Sequence, residues 1–198
     1  MSIGIFILPI GSLNDELIRW KERIEEEHQG HPYTLHPPHM TLINLEVINK
    51  EDSVDVASII ASNIQPFQIS VKSKDVFWDD NITGGHTLYF RVENNDNLFN
   101  IQKSLAESLV PFKKKISPND KIIKITPFYE SFNKYGSPFI GKHWIPHFSV
   151  TSLRTKKTNP LITNFLTKIP NYTFTINEIS IWHINGDEHI KLKTIALQ

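Results

Sequence analysis

Two short motifs of the same pattern place a histidine two positions before a hydroxyl side chain. They read His-Met-Thr-Leu at residues 39–42 and His-Phe-Ser-Val at residues 147–150. Side chains two apart on a β-strand share one face, so His39 is expected to lie beside Thr41. For the same reason His147 is expected to lie beside Ser149. Each motif therefore presents an imidazole with a hydroxyl, while its apolar residues anchor the strand in a core.

Two imidazoles and two hydroxyls that converge on one point can perform acid–base chemistry at a phosphate. The unperturbed pKa of histidine, about 6.5, allows one copy to act as base while another acts as acid near neutral pH. Hydroxyls can donate hydrogen bonds to the non-bridging oxygens and stabilise the charge that develops. The expected chemistry is cleavage of a phosphodiester at a ribose without a metal: one histidine deprotonates a water or a ribose hydroxyl, and the other protonates the leaving oxygen.

A proline stands directly before the histidine of each motif, at Pro38 and at Pro146. A single His-x-Thr pattern is weak evidence, because three-residue patterns arise by chance and a lone strand histidine is more often a structural residue. Two copies that enter their strands in the same way favour a functional pair. The near symmetry of the motifs leaves open which histidine is the base.

These motifs resemble those of the 2H phosphoesterase superfamily, which is named for two His-x-Thr/Ser-x motifs whose last position is usually apolar. The resemblance implies an α+β fold of two lobes, in which two mainly antiparallel sheets with flanking helices are related by a pseudo-two-fold and enclose the active cleft. It implies a metal-independent reaction without a cofactor. The implied substrates are 2′,3′-cyclic phosphates or 2′-5′-linked oligonucleotides, as in the 2′-5′ RNA ligase-like and cyclic nucleotide phosphodiesterase branches. Ligation, the reverse reaction, stays open.

Four residues match the catalytic positions of that superfamily: His39, Thr41, His147 and Ser149. Ser149 departs from the commoner threonine but keeps the hydroxyl group. The resemblance therefore predicts these four residues as the catalytic set.

The elements that carry the motifs are predicted from apolar periodicity and from turn residues. Strands are expected at residues 3–10, 39–47, 67–77, 87–92, 122–125, 147–153, 174–184 and 190–197. Helices are expected from Ser12 or Asn14 to just before Gly30, from Asp52 or Ser53 to Ile60, at 94–110 and at 159–166. Tight turns are expected at 79–85 and 185–187. The stretch after 125, rich in proline and glycine, is expected to form a mobile loop that leads to the second motif.

The order of elements in the second half of the chain echoes the order in the first half. Strand, helix, motif strand, helix and two strands are followed by helix, a weak strand, motif strand, helix and two strands. Hairpins, rather than evenly spaced crossovers, indicate the α+β class with mainly antiparallel sheets. Residues 1–198 are therefore expected to form a single domain of two lobes, with one motif in each lobe.

The composition excludes several classes of protein. The absence of cysteine excludes disulfides, thiolate metal ligands and a cysteine nucleophile. The apolar start, residues 1–10, lacks basic residues and is interpreted as a first strand and not as a signal peptide. No apolar run approaches the ~18 residues of a membrane span. A cytoplasmic protein without a membrane partner is expected.

The balance of charge bears on the size of the substrate. Lysine plus arginine equals aspartate plus glutamate, with 21 residues in each group. Proteins that grip long nucleic acids usually carry a basic excess. A small nucleotide or an RNA end is therefore the expected partner, and the chain is expected to act as a monomer.

Aromatic residues shortly before the second motif can stack on a nucleobase, a contact worth about 1 to 3 kcal/mol per base. The candidates for substrate binding are Tyr129, Phe132, Tyr135 and Trp144. Their stretch leads directly into the motif strand, which favours this role. Packing in the core is the alternative for each of them.

Two other hypotheses compete with catalysis by the histidine pair. A metal-dependent hydrolase could use His31, His36 and His39, but the prolines among them and the lack of acidic partners argue against a metal site. A non-catalytic nucleotide-binding or regulatory module could retain the same fold, but both histidines and both hydroxyls are present. Activity in EDTA, or binding without turnover, distinguishes the three hypotheses.

Overall fold

The motif strands belong to two separate antiparallel sheets. The computed structural model describes residues 1–118, 124–186 and 188–198. The strands in these residues are β1 Ser2–Ile7, β2 Met40–Glu46, β3 Phe67–Phe77, β4 His86–Val92, β5 His147–Leu153, β6 Tyr172–Ile176, β7 Glu178–Asn185 and β8 Glu188–Ala196. They form one sheet of order β2-β1-β7-β8 and another of order β5-β4-β3-β6.

Each motif strand is an edge strand of its sheet. β2 pairs antiparallel with β1, and β5 pairs antiparallel with β4. The chain passes from β1 through helical structure to β2 in one sheet, and from β4 through helical structure to β5 in the other. The same unit therefore occurs twice. The apolar residues of the motifs are almost fully buried: Met40, Leu42, Phe148 and Val150. The predicted α+β fold of two lobes with mainly antiparallel sheets is confirmed.

Helices flank both sheets. Those in the described residues are α1 Gly11–Glu27, α2 Lys50–Ser62, α3 Asp96–Leu109, α4 Thr126–Tyr135 and α5 Pro160–Thr167. α2 contacts β8 and α3 contacts β2, whereas α1 contacts β5 and α5 contacts β3. α1 therefore follows β1 in the chain but packs on the other sheet, which ties the lobes together. No helix within the described residues has the length and apolar character of a membrane-spanning helix.

Asparagine side chains cap three of these helices. Asn49, Asn95 and Asn159 each accept a hydrogen bond from a backbone N–H two or three residues further on, as is typical of an asparagine at this position. α2 consequently begins at Lys50, earlier than the predicted start at Asp52 or Ser53.

α1 begins without a side-chain cap. Ile10 occupies the N-cap position and Gly11 is the first helical residue. Because the helix starts before Ser12 and Asn14, neither residue can cap it, and the predicted cap is wrong.

The largest error of the sequence-based prediction lies before the second motif. Residues 126–135, expected in a mobile loop, form α4. Pro127 lies in the first turn, where its missing N–H costs no hydrogen bond, and Gly136 ends the helix with φ of 77°. Both residues bound a helix here and do not mark a loop. Of the predicted strand at 122–125, the first two residues lie outside the described residues and Ile125 is the N-cap of α4.

The predicted strand at 174–184 is two strands that separate at Asn177. β6 pairs with β3, whereas β7 pairs with β1 and β8, so the chain changes sheet at this point. Apolar residues alternate at 174 and 176 and again at 179 and 181, so the phase of the pattern shifts by one residue at the break. Gly186 follows β7 with φ of 60°, and Asp187 of the expected turn lies outside the described residues.

Candidate active site

The two motif strands meet at a cleft of about 970 Å³. β2 contacts β5 across the boundary between the sheets. The four residues predicted to be catalytic all line this cleft: His39, Thr41, His147 and Ser149. Trp144, predicted for substrate binding, lines it as well. The fold therefore brings two imidazoles and two hydroxyls to one cavity.

The imidazole of His39 is fixed by one hydrogen bond and one ring contact. Its Nδ1 lies 2.7 Å from the carbonyl oxygen of Pro37. Because a carbonyl can only accept, Nδ1 carries the proton and Nε2 is the basic nitrogen. The ring stacks on Phe6 with centroids 4.1 Å apart. Burial lowers the pKa of His39 to about 3, and the nearby His189 and Lys21 act in the same direction.

His147 repeats this arrangement in the second lobe. Its Nδ1 lies 2.6 Å from the carbonyl oxygen of Ile145, so Nε2 is again the basic nitrogen. The rings of Phe77 and Tyr89 meet the imidazole edge-on, with centroids 5.1 Å away. Burial lowers the pKa of His147, whereas the carboxylate of Asp80 opposes this shift. The two histidines thus share a tautomer but differ in the charge around them.

The prolines of the motifs lie between each histidine and its carbonyl partner. In both cases the acceptor is two positions before the histidine. The ring of Pro38 or Pro146 fixes φ of the intervening residue at about −65° and keeps the residue before it extended. The proline therefore sets the distance between the carbonyl oxygen and the imidazole. This is a physical role for the proline that stands before the histidine in both motifs.

A glycine on β1 leaves room for the ring that supports His39. Phe6 pairs with Thr41 across β1 and β2, and its ring folds back over Gly4. A Cβ at Gly4 would lie 2.3 Å from Cζ of Phe6, far closer than van der Waals contact. Gly4 is therefore needed for the Phe6 ring to stack on His39.

The segment before each motif is anchored on the strand of the other motif. Trp144 precedes the second motif, and its Nε1 donates to the carbonyl oxygen of Thr41 at 3.2 Å. In the opposite direction, the N–H of Ser152 on β5 donates to the carbonyl oxygen of Pro32, which precedes the first motif, at 2.9 Å. This exchange fixes the position of the two motifs relative to each other.

A buried glutamine reinforces one side of this exchange. The Nε2 of Gln102, on α3, donates to the carbonyl oxygens of Leu42 and Phe139 at 3.1 and 2.9 Å. Its Oε1 accepts from the N–H of Gly141 at 3.0 Å. Gln102 therefore joins β2 to the segment that follows α4 and borders the cleft.

The aromatic residues at the cleft differ in part from those predicted. Trp78, directly after β3, lines the cleft and is 44% exposed. Phe128 and Phe139 also line it, with ring centroids 5.0 Å apart. Three of the predicted residues do not belong to the lining: Tyr129 is exposed, Phe132 is buried, and Tyr135 packs against the core. Their positions on a helix, and not on a loop, account for the difference.

The histidines of the alternative metal site do not converge. His31 lies beside His28, with ring centroids 6.2 Å apart, whereas His36 and His39 both lie beside His189, at 4.3 and 5.7 Å. Within residues 1–118, 124–186 and 188–198, no three His, Asp or Glu side chains are grouped so that they could hold a metal ion. The donor set of the metal-dependent hypothesis is thus not assembled in this part of the chain.

Phe6, Lys21 and His189 are among the other cleft residues that the sequence analysis did not predict. Lys21 lies four residues after Leu17 and three before Ile24, on the apolar stripe of α1, and a lysine on such a stripe is a signal in the sequence. Phe6 and His189 reach the cleft through strand pairing, which no local pattern reveals.

Comparison with known proteins identifies relatives of this fold. The profile of the family described as the 2′-5′ RNA ligase superfamily matches residues 13–188. TT0787 of Thermus thermophilus is 12% identical, with a TM-score of 0.66 over 99% of this chain and 97% of that protein. E. coli LigT complexed with 3′-AMP is 12% identical, with a TM-score of 0.57 over 100% of this chain and 98% of that protein. E. coli LigT complexed with phosphate is 12% identical, with a TM-score of 0.58 over 100% of this chain and 97% of that protein.

The search of curated proteins found no match. At 12% identity the likeness to the solved structures establishes the fold. The family match spans most of the chain and confirms the resemblance to the 2H phosphoesterases that the two motifs indicated. The chain belongs to the 2′-5′ RNA ligase superfamily.

Proposed function

We propose that this chain is a metal-independent phosphodiesterase in which His39 and His147 act as base and acid. The matched pair carries the proposal: two imidazoles line one cleft, and each donates Nδ1–H to a backbone carbonyl. The Nε2 of each ring has no hydrogen bond from the described residues and is the atom that exchanges a proton with the substrate. Members of this superfamily are phosphodiesterases or RNA ligase-like phosphoesterases, which supports the reaction class.

The charges around the two rings favour His39 as the base. Its pKa of about 3, set by burial and then by His189 and Lys21, keeps the ring neutral in the free cleft. Burial also lowers the pKa of His147, but the carboxylate of Asp80 favours its protonated form. A bound phosphate adds negative charge beside both rings and raises both pKa values. A carboxylate is among the causes acting on the pKa of His147 and not on that of His39, which supports His147 as the acid and His39 as the base.

In the proposed step a water or a ribose hydroxyl attacks phosphorus while Nε2 of His39 takes its proton. The bond from phosphorus to the leaving ribose oxygen breaks as the new bond forms, and Nε2–H of His147 protonates that oxygen. The hydroxyls of Thr41 and Ser149 donate to the non-bridging oxygens and stabilise the developing charge. His39 gains one proton and His147 loses one, so the total number of protons on the two histidines does not change.

We infer that the substrate is a small nucleotide or an RNA end with a 2′,3′-cyclic phosphate or a 2′-5′ linkage. The cleft volume, about 970 Å³, lies at the upper end for small-molecule sites. Trp78 and Phe139 line the cleft and are 44% and 36% exposed, which makes them candidates for stacking on a base. The crystal complexes of E. coli LigT with 3′-AMP and with phosphate support a nucleotide ligand here. All four motif residues come from one chain, which supports a monomeric enzyme.

The test is turnover of 2′,3′-cyclic nucleotides and of 2′-5′- and 3′-5′-linked dinucleotides in the presence of EDTA. We expect the wild type to turn over one of the first two classes, and His39→Ala and His147→Ala each to lose about 100-fold or more in kcat/KM. His28→Ala, at an exposed histidine outside the cleft, should retain activity. No turnover by the folded wild type contradicts the proposal, and nucleotide binding without turnover identifies a non-catalytic binding module.

A further inference from the structure

Lys21 places a buried cation at the cleft. It lines the cavity from α1 and is 7% exposed. Its Nζ donates to the carbonyl oxygens of Tyr33 and Val150 at 2.6 and 2.8 Å. The carbonyl oxygen of Thr34, at 3.5 Å, is at the limit of a hydrogen bond. The ammonium group thus lies between the segment before the first motif and the strand of the second.

No acidic side chain among the described residues pairs with this charge, since the partners of Nζ are backbone carbonyls. Lys74 is also buried, but its Nζ lies 2.8 Å from a carboxylate oxygen of Glu16. A buried charge without a counter-charge is costly for folding. A lysine at this buried position therefore indicates a role that an apolar residue on the same helix face could not fill.

The carboxylates of the cleft are engaged elsewhere. Asp79 pairs with Lys157, and Asp80 accepts from the hydroxyls of Thr83 and Thr87. The counter-charge of Lys21 is therefore expected from a ligand and not from the protein.

We propose that Lys21 is a phosphate-binding residue, whose ammonium group balances the charge of the phosphate held between the two motifs. This inference rests on the proposed function and deepens it. One of the three N–H groups of Nζ has only the distant carbonyl of Thr34 as partner. That group can turn to a phosphate oxygen while the hydrogen bonds to Tyr33 and Val150 stay intact.

The titration of Lys21 gives this role a signature. Burial lowers the pKa of Lys21 to about 7, and a bound anion favours its charged form. Anion binding is therefore strongest below pH 7 and weakens as the pH rises through it. Other titratable side chains line the same cleft: Tyr33, His36, His39, Asp79, Asp80, His143, His147 and His189. A variant is needed to isolate the contribution of Lys21.

Sulfate is a suitable probe, because it stays a dianion around neutral pH and its binding requires no turnover. Lys21→Gln keeps a hydrogen-bond donor on a side chain of similar size but removes the charge. The matched control is Lys142→Gln, which removes the same charge at an exposed position beside the cleft. Calorimetric titrations at pH 6 and pH 8 give the affinities.

We expect the wild type and Lys142→Gln to bind sulfate more tightly at pH 6 than at pH 8. Lys21→Gln should bind about tenfold or more weakly at pH 6, with a smaller difference between the two pH values. Affinity of the folded Lys21→Gln close to that of the wild type, or no sulfate binding by the wild type, overturns the proposal. Turnover plays no part in this outcome, so the proposed function can stand or fall separately.

A second measurement does not depend on the folding of a variant. The lysine Cε resonances of the wild type are followed by NMR as the pH changes. One lysine should titrate near pH 7, and saturating sulfate should move its midpoint upward. A midpoint that sulfate leaves unchanged overturns the proposal.

Discussion

Backbone carbonyls set the tautomer of both motif histidines before any substrate binds. Each Nδ1 donates to the carbonyl oxygen two residues earlier, and the proline between them fixes the reach. Burial outweighs this hydrogen bond in its effect on the pKa of both rings. His39 and His147 are therefore neutral in the free cleft at neutral pH, and each presents a basic Nε2.

The burial of neutral His39 is expected to make the fold sensitive to acid. Its pKa is about 3 in the folded state and 6.5 without burial, so between these pH values His39 is protonated only in the unfolded chain. The free energy of unfolding therefore falls as the pH drops below 6.5, by about 2 kcal/mol at pH 5. Urea unfolding at pH 7 and pH 5 should show a smaller loss in His39→Gln than in the wild type. An equal loss in the two proteins contradicts this account.

The contact between Gly4 and Phe6 supports a second prediction. In Gly4→Ala the new Cβ would displace the Phe6 ring from His39, at a cost of about 1 to 3 kcal/mol. Phe6→Leu removes the ring and with it most of the clash, so Gly4→Ala should cost less stability in that background. A double-mutant cycle by urea unfolding, with kcat/KM measured in parallel, checks this coupling. Equal costs in both backgrounds would show that Phe6 is not the constraint on Gly4.

For the helices and strands, the agreement between predicted and observed ranges depends on the residues at the ends of each segment. β3 and β5 occupy the predicted ranges, 67–77 and 147–153, because Pro66 and Pro146 mark where both strands begin. α4 was not predicted, because proline and glycine occur at helix ends as well as in loops. Which use applies depends on the packing of α4 against α3.

Gly136 is expected to stabilise the end of α4 through its backbone conformation. A Cβ there would lie 3.5 Å from that of Lys113, an ordinary contact, so the cost of Gly136→Ala comes from φ of 77°. We expect a loss of about 1 kcal/mol for Gly136→Ala and a smaller loss for Gly136→Asn, because asparagine tolerates this region better. Urea unfolding gives both values. Equal losses in the two variants contradict this explanation.

At the scale of the molecule, the convergence of the two motifs depends on contacts between distant residues. The echoed order of elements predicted that the motifs face each other, and the cleft confirms this arrangement. The hydrogen bonds from Trp144 to Thr41 and from Ser152 to Pro32 could not be predicted, because no local pattern specifies them. The positions of Phe6 and His189 at the cleft could not be predicted for the same reason. Lys21 could have been noticed, because it is a lysine on the apolar stripe of α1.

Gln102 tests the contribution of these contacts to the site. Gln102→Met leaves the carbonyls of Leu42 and Phe139 and the N–H of Gly141 without their partner. We expect a loss of about 3 kcal/mol or more in the free energy of unfolding, together with a lower kcat. Lys103→Met, at an exposed position on the same helix, is the control. A loss of stability no greater than that of Lys103→Met would show that the hydrogen bonds of Gln102 do not stabilise the site.

The most direct test of the two-histidine mechanism uses a 2′-5′-linked dinucleotide in which sulfur replaces the bridging 5′ oxygen. A thiolate leaves without protonation, so the substrate needs the base but not the acid. We predict that His147→Ala, impaired by about 100-fold or more on the oxygen substrate, turns over the sulfur substrate within about tenfold of the wild-type rate, whereas His39→Ala stays impaired on both. Rescue of His39→Ala, or rescue of neither variant while the wild type is active, would contradict the account.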